Sequence, residues 1–253
     1  MIRLTAAAVV AAAAVAGVVA LIGSGGKSAH THHARHARSV RRRGGAAVVQ
    51  LGTSSRGRRI DAVHVGTGSR ADLLVVGCIH GNEPAGIAVT KELRQRLAGG
   101  PLDVWLVDDL NPDGHAARTR VDARGVDLNR NFPWRWRRLF RHGDPQYGGP
   151  RPLSEPESRA AERLILRVRP RISIWFHQPL GLVDESGGSE GLERRFSRLS
   201  GLPLRRLIRY PGSAVGWEDH VLHGSTAFVV ELPPGRLSPR AAARLARAVA
   251  ALI

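Results

Sequence analysis

Hydrophobic positions fall into three regimes along the chain. Residues 5–22 are uncharged and built almost wholly from Ala, Val, Gly, Leu and Ile, with Arg3 before them and Gly23, Ser24, Gly25 and Gly26 after. A run that is apolar on every face at the start of a chain predicts an export segment, cleaved or kept as a membrane anchor, because a core helix would carry a polar face. Residues 27–45 replace apolar periodicity with Ser, Gly, His and Arg and predict a solvated linker. From Ala46 onward, short β-branched runs alternate with longer Ala, Leu and Arg stretches at helical spacing.

This third regime predicts strands over 46–51, 60–65, 73–79, 104–107, 172–176 and 227–232. It predicts helices over 84–97, 155–168, 191–200 and 239–252, the first opened by Pro84 and closed by Gly99 and Gly100. Such alternation specifies one α/β domain, residues 46–253, with a mostly parallel or mixed sheet, preceded by a leader (1–26) and a basic linker (27–45).

Composition narrows the chemistry. The single cysteine among 253 residues, Cys78, excludes a disulfide framework and a cysteine-rich zinc module, so a metal site must use His and carboxylates. The formal charge of +17 is concentrated in an arm: nine Lys and Arg and no Asp or Glu stand between Lys27 and Arg59. Aromatic residues do not interleave with this arm, and no helix-turn-helix, zinc-finger or RNA-recognition pattern is present, so a specific nucleic-acid partner is not expected. A polyanionic cell envelope would hold the arm by the same screened attraction. His30, His32, His33 and His36 lie in it without carboxylates or a scaffold and are read as part of the spacer.

Ligands in open α/β sheets collect beyond the carboxyl ends of strands, which directs attention to three places. His80-Gly81-Asn82-Glu83 follows the run 73–79, His177 follows 172–176, and Glu231 stands near the end of 227–232. An isolated His beside a strand is ordinarily a hydrogen-bonded structural residue. Together, however, His80, Glu83 and His177 form the two-His, one-Glu set of zinc hydrolases, in which an open fourth position activates water. Glu231, at the end of an apolar strand, suits a general base whose pKa burial raises, although a strand-end carboxylate can also cap backbone or pair with arginine. Between these places lie Asn111-Pro112-Asp113-Gly114, a turn signal, and a polar segment holding Arg120, Asn129 and Arg130. An Asn beside an Arg can clamp a carboxylate and another Arg can steady an oxyanion, or the whole can be a surface salt-bridge loop.

These pieces, with Gly125 to Pro133 and Leu153-Ser154-Glu155-Pro156-Glu157, occur in an order that resembles the zinc carboxypeptidase family, in particular its bacterial murein peptide amidase branch. The resemblance implies an approximately eight-stranded mixed sheet flanked by helices, one zinc per chain on His80, Glu83 and His177, and Glu231 as general base. It implies that Arg120 polarises the scissile carbonyl and that Asn129 and Arg130 hold the substrate's terminal carboxylate. Asn82 stands where digestive members have an arginine, and Tyr210, followed by Pro211, Gly212 and Ser213, lies near where they carry a mobile tyrosine.

The activity so implied is hydrolysis of a C-terminal amide bond in a wall peptide, between γ-D-glutamate and diaminopimelate, by an exported, monomeric enzyme. Glu218 and Asp219 are expected to receive diaminopimelate's second amine. Two other readings are a desuccinylase or aspartoacylase-like deacylase of N-acyl amino acids, which shares the His-Gly-Asn-Glu turn, and a non-catalytic wall-binding scaffold. The Asn-Pro-Asp-Gly and Ser-Glu-Pro-Glu segments favour the peptidase over the first, and retention of all three ligands with Glu231 disfavours the second.

Overall fold

A computed structural model describes residues 41–43, 46–66 and 71–253, so the leader (1–26) and most of the linker (27–45) lie outside the described residues. Its strands are β1 (Arg41–Arg43), β2 (Ala46–Thr53), β3 (Arg59–Val65), β4 (Leu73–Val76), β5 (Val104–Val107), β6 (Ile172–His177), β7 (Leu182–Asp184), β8 (Leu204–Arg205) and β9 (Thr226–Glu231). Its helices are α1 (Gly86–Leu97), α2 (Pro112–Ala117), α3 (Pro156–Val168), α4 (Glu190–Ser200), α5 (Ala214–Val221) and α6 (Pro239–Ala250). All the strands join one mixed sheet in the order β1-β2-β3-β5-β4-β6-β9-β7-β8. Among the described residues no helix is long and apolar enough to cross a membrane.

Side-chain alternation divides the interior into two cores. Leu74, Val76, Trp105, Val107 and Trp175 face α3 and α5, whereas Leu73, Val75, Leu106, Ile174 and Phe176 face α1, α4 and α6. The central strands β5, β4, β6 and β9 are mutually parallel and buried on both faces, which is why their sequences read as unbroken apolar runs.

From β4 the chain passes through α1 to β5 on one side, then returns to β6 and β9 on the other. The carboxyl ends of β4 and β6 therefore flank a topological switch point, where crossovers diverge and leave a crevice.

Arg41–Arg43 pair antiparallel with β2 at the edge of the sheet. Two expectations are corrected. The first helix starts at Gly86 rather than Pro84, because Pro84 and Ala85 belong to the turn that carries Glu83. Asn-Pro-Asp-Gly is not only a turn: Asn111 Oδ1 accepts from Gly114 N at 2.9 Å and caps α2, with Pro112 in the first turn, where its missing N–H costs nothing.

Candidate active site

β4 ends at Val76, and Gly77 leaves the sheet while still donating to Val107 O. The next residues turn tightly, Glu83 N donating to His80 O at 2.9 Å, which brings the His80 and Glu83 side chains together. Gly81 is required at this turn: a Cβ there would lie 1.9 Å from Gly114 C in α2, so only a residue without a side chain fits.

His177, the last residue of β6, completes the group. His80 Nδ1 lies 2.9 Å from Glu83 Oε2, and His177 Nδ1 lies 3.1 Å from both His80 Nδ1 and Glu83 Oε2. All three side chains are buried. His80 Nε2 lies 3.0 Å from Asp127 Oδ1, so an Nε2–H donated to that carboxylate leaves the Nδ1 lone pair facing its neighbours. Two imidazole nitrogens and one carboxylate oxygen converging in this way fit a zinc ion, whose borderline softness suits nitrogen and oxygen donors.

The electrostatics agree with a cation here. Burial disfavours ionised Glu83, yet the adjacent His177 and His80 hold its carboxyl well below the usual range. Burial likewise opposes a charged His80, but Asp127 outweighs it and raises the imidazole's pKa. Asp127 is itself held low despite burial by His80 and Arg120.

Glu231 ends β9 beside His177 in the parallel register of β6 and β9. Burial, reinforced by the negative charge of Glu83, pushes its carboxyl up to about 7. Arg120 donates from Nη1 to Glu83 Oε1 at 3.1 Å and from Nε to Asp127 Oδ2 at 3.0 Å, and it reaches the same cavity. Asn129 Oδ1 accepts from Ala214 N at 2.9 Å, and the Arg130 guanidinium lies 4.1 Å from the centre of the Tyr210 ring. The structure thus gathers His80, His177, Glu231, Arg120, Asn129 and Arg130 around one cavity of about 330 Å³, with Glu83 just behind its wall.

Asp127 and Gln178 have roles that the sequence reading did not assign. Gln178 Oε1 accepts from Ala85 N at 3.0 Å, while its Nε2 donates to Pro233 O at 2.9 Å and Gly235 O at 2.8 Å. It ties the Glu83 turn to the loop that leaves β9. Asp127 was within reach of sequence reasoning as the one carboxylate inside Gly125 to Pro133; Gln178 offered only its place next to His177.

The assignment of Glu218 and Asp219 to substrate is overturned. Glu218 is fully buried against β6, accepting from Ser173 Oγ and from Trp175 Nε1 at 3.1 Å, and burial pushes its carboxyl up to about 7. Asp219 Oδ1 accepts from Ala227 N at 2.8 Å. Neither lines the cavity, whereas Asp184, Ser186 and Arg209 do.

A family model described as zinc carboxypeptidase matches residues 40–180. Murein peptide amidase A of Escherichia coli (strain K12) is 33% identical over 180 residues, 66% of this chain and 73% of that protein. The murein peptide amidase A of Vibrio campbellii is 31% identical over 174 residues, covering 64% of this chain and 69% of the relative. Among solved structures, murein-tripeptide amidase from Escherichia coli O157 superposes with a TM-score of 0.65 at 27% identity, over 81% of this chain and 91% of the other. Carboxypeptidase A from Helicoverpa armigera gives a TM-score of 0.70 at 17% identity, over 83% and 67% of the two chains, a likeness of fold alone. These matches favour a peptidase over the deacylase and over a non-catalytic scaffold.

Proposed function

The chain belongs to the zinc carboxypeptidase family and is a peptide-bond hydrolase, and we propose that it removes the terminal diamino acid from short wall-derived peptides, cutting the amide between γ-D-glutamate and diaminopimelate. One observation carries the chemistry: the His80, Glu83 and His177 donor atoms converge within 3.1 Å of one another beside Glu231 on the adjacent strand end. His80 and His177, through Nδ1, and Glu83 would hold the zinc. When bound, zinc polarises the scissile carbonyl and lowers the pKa of a water towards about 7.

The chain's own groups divide the remaining work. Glu231 takes a proton from the attacking water and delivers it to the leaving nitrogen as the C–N bond breaks, a role suited to a carboxyl pushed up to about 7. Asn129 and Arg130 hold the substrate's terminal carboxylate by charge-assisted hydrogen bonds, and Arg120 steadies the developing negative charge on the carbonyl oxygen. The amidase relatives support the wall-peptide substrate. So does the arrangement of an apolar leader (1–26) and a basic arm (27–45), which would export the enzyme and hold it against an anionic envelope.

The test uses the zinc-loaded full chain with L-Ala-γ-D-Glu-diaminopimelate, with products identified by mass spectrometry beside a Glu231→Gln control. Release of diaminopimelate, slowed about 10²- to 10⁴-fold in the control with zinc retained, is the expected result. Release of ordinary C-terminal residues with the diaminopimelate peptide intact would discard the wall substrate. For the leader, the mass of the mature N-terminus in an exporting host distinguishes a cleaved signal from an anchor.

A further inference from the structure

We propose that the Asp184–Arg209 ion pair in the wall of the catalytic cavity selects substrates whose terminal side chain ends in an amino-acid head, an ammonium and a carboxylate on one carbon. The inference rests on the carboxypeptidase reading of the site and adds to it the groups that recognise the leaving residue.

β7 runs antiparallel to β9, with Leu182 beside Glu231 and Val183 beside Val230. Asp184 continues β7 away from Glu231, and Ser186 Oγ accepts from Val229 N at 3.3 Å. Val229 precedes Glu231 by two residues, so this end of the cavity lies roughly 7 Å along the strand from the general base. A side chain of three methylenes spans about 5 Å, enough to carry its head there from a backbone held by Asn129 and Arg130.

The groups waiting at that end are charged and asymmetric. Asp184 is 4% exposed, its Oδ1 accepts from Leu207 N at 2.9 Å, and its Oδ2 lies 2.5 Å from Arg209 Nη1. Arg209 is half exposed towards the cavity, and among the described residues its Nε and Nη2 have no hydrogen-bond partner. Asp184 is therefore fixed, while Arg209 keeps donors free for an incoming carboxylate.

Each class of side chain meets this pair differently. An apolar chain would desolvate it without compensation. A lone ammonium would be repelled by Arg209, and a lone carboxylate by Asp184. A head carrying both charges closes a four-membered ring of alternating charge, its carboxylate on Arg209 and its ammonium on Asp184, with no net charge added to the wall. This pair takes the place the sequence reading gave to Glu218 and Asp219.

Four peptides of the form L-Ala-γ-D-Glu-X test it, X being diaminopimelate (both charges), lysine (ammonium only), 2-aminopimelate (carboxylate only) and norleucine (neither). The zinc-loaded full chain should prefer diaminopimelate over each of the others by roughly 10- to 100-fold in kcat/KM, expressed chiefly in KM, as expected for charge-assisted hydrogen bonds. In Arg209→Gln the ratio of diaminopimelate to lysine, which lacks only the carboxylate, should collapse towards one, and in Asp184→Asn the ratio of diaminopimelate to 2-aminopimelate, which lacks only the ammonium, should do the same. Because each ratio is internal to one preparation, a fold-weakened variant still reports. Cleavage of all four peptides at similar rates, or an unchanged ratio in Arg209→Gln, overturns the selector and leaves the carboxypeptidase reading standing. Failure of wild type to cleave any of them overturns both.

Discussion

Among the described residues two clusters of three potential ligands are buried, and they behave oppositely. His80, Glu83 and His177 form one, Asp122, Glu155 and Glu157 the other, and each brings its ligand atoms within 4.8 Å of one another. In the first, imidazoles lie against the carboxylate and hold its pKa down, and Asp127 fixes the orientation of a ring. The second has only carboxylates. Asp122 Oδ1 accepts from Val126 N at 2.8 Å, Glu155 Oε1 from Ser154 Oγ at 2.7 Å and Glu157 Oε1 from Ser55 N at 2.9 Å; among the described residues the other oxygen of Asp122 and of Glu157 has no hydrogen-bond donor, and that of Glu155 has only the half-exposed Arg124 guanidinium at 3.6 Å. Burial pushes the Asp122 and Glu157 carboxyls up, with Glu155 adding to both. Proximity and burial are thus common to both. Imidazole nitrogens beside an ionised carboxylate suit the first to a cation, whereas crowded like charges raise the affinity of the second for protons.

The largest effect expected from breaking the contrast is at the first cluster. His177→Ala should lower zinc from about one per chain to near zero by atomic absorption and abolish peptide cleavage, whereas Glu157→Gln should keep its zinc. Asp127→Asn, which weakens the support of His80 and leaves all three donors, should cost about 10- to 100-fold in zinc affinity or activity in a chelator competition.

The second cluster is sharpened by pH. Carboxyls raised in the fold bind more protons than in the unfolded chain, so unfolding free energy should fall as pH rises from about 4 to 7. Asp122→Asn should flatten part of that slope in urea titrations; an unchanged slope would show that the cluster holds no proton. Glu218→Gln should remove a further, separate part between about 4.5 and 7, because an amide can satisfy both Ser173 Oγ and Trp175 Nε1 without ionising. The smallest expected effect is that of calcium: millimolar amounts should leave the melting temperature unchanged, and a rise lost in Glu157→Gln would make the second cluster a cation site too.

Much of this architecture is legible in the amino-acid sequence. The buried parallel strands announce themselves as apolar runs, and the polar residues that follow β4 and β6 mark the crevice because strand ends must meet there. Short elements carried no such signal: β7 and β8 span three and two residues, too few for a period to show. Glu218 misled for the same reason. In the eight-residue α5 a carboxylate next to Trp217 looks like part of a polar edge, and only the neighbouring β6 reveals that it points inward. Asp127 and Gln178 act on partners 47 and 93 residues away, contacts that no local spacing encodes. The wall formed by Asp184 and Arg209 likewise joins residues 25 apart that the sequence never presents together.

Gln178 has a consequence for how such an enzyme can diverge. By tying the Glu83 turn to Pro233 and Gly235, it makes the reactive half of the cavity a single mechanical piece built on β4, β6 and β9. The opposite half hangs on β7, β8 and the segment through Tyr210, at the margin of the sheet. Inheritance can therefore rewrite what the cavity accepts by exchanging a peripheral stretch of some thirty residues, while the reaction itself is passed on untouched.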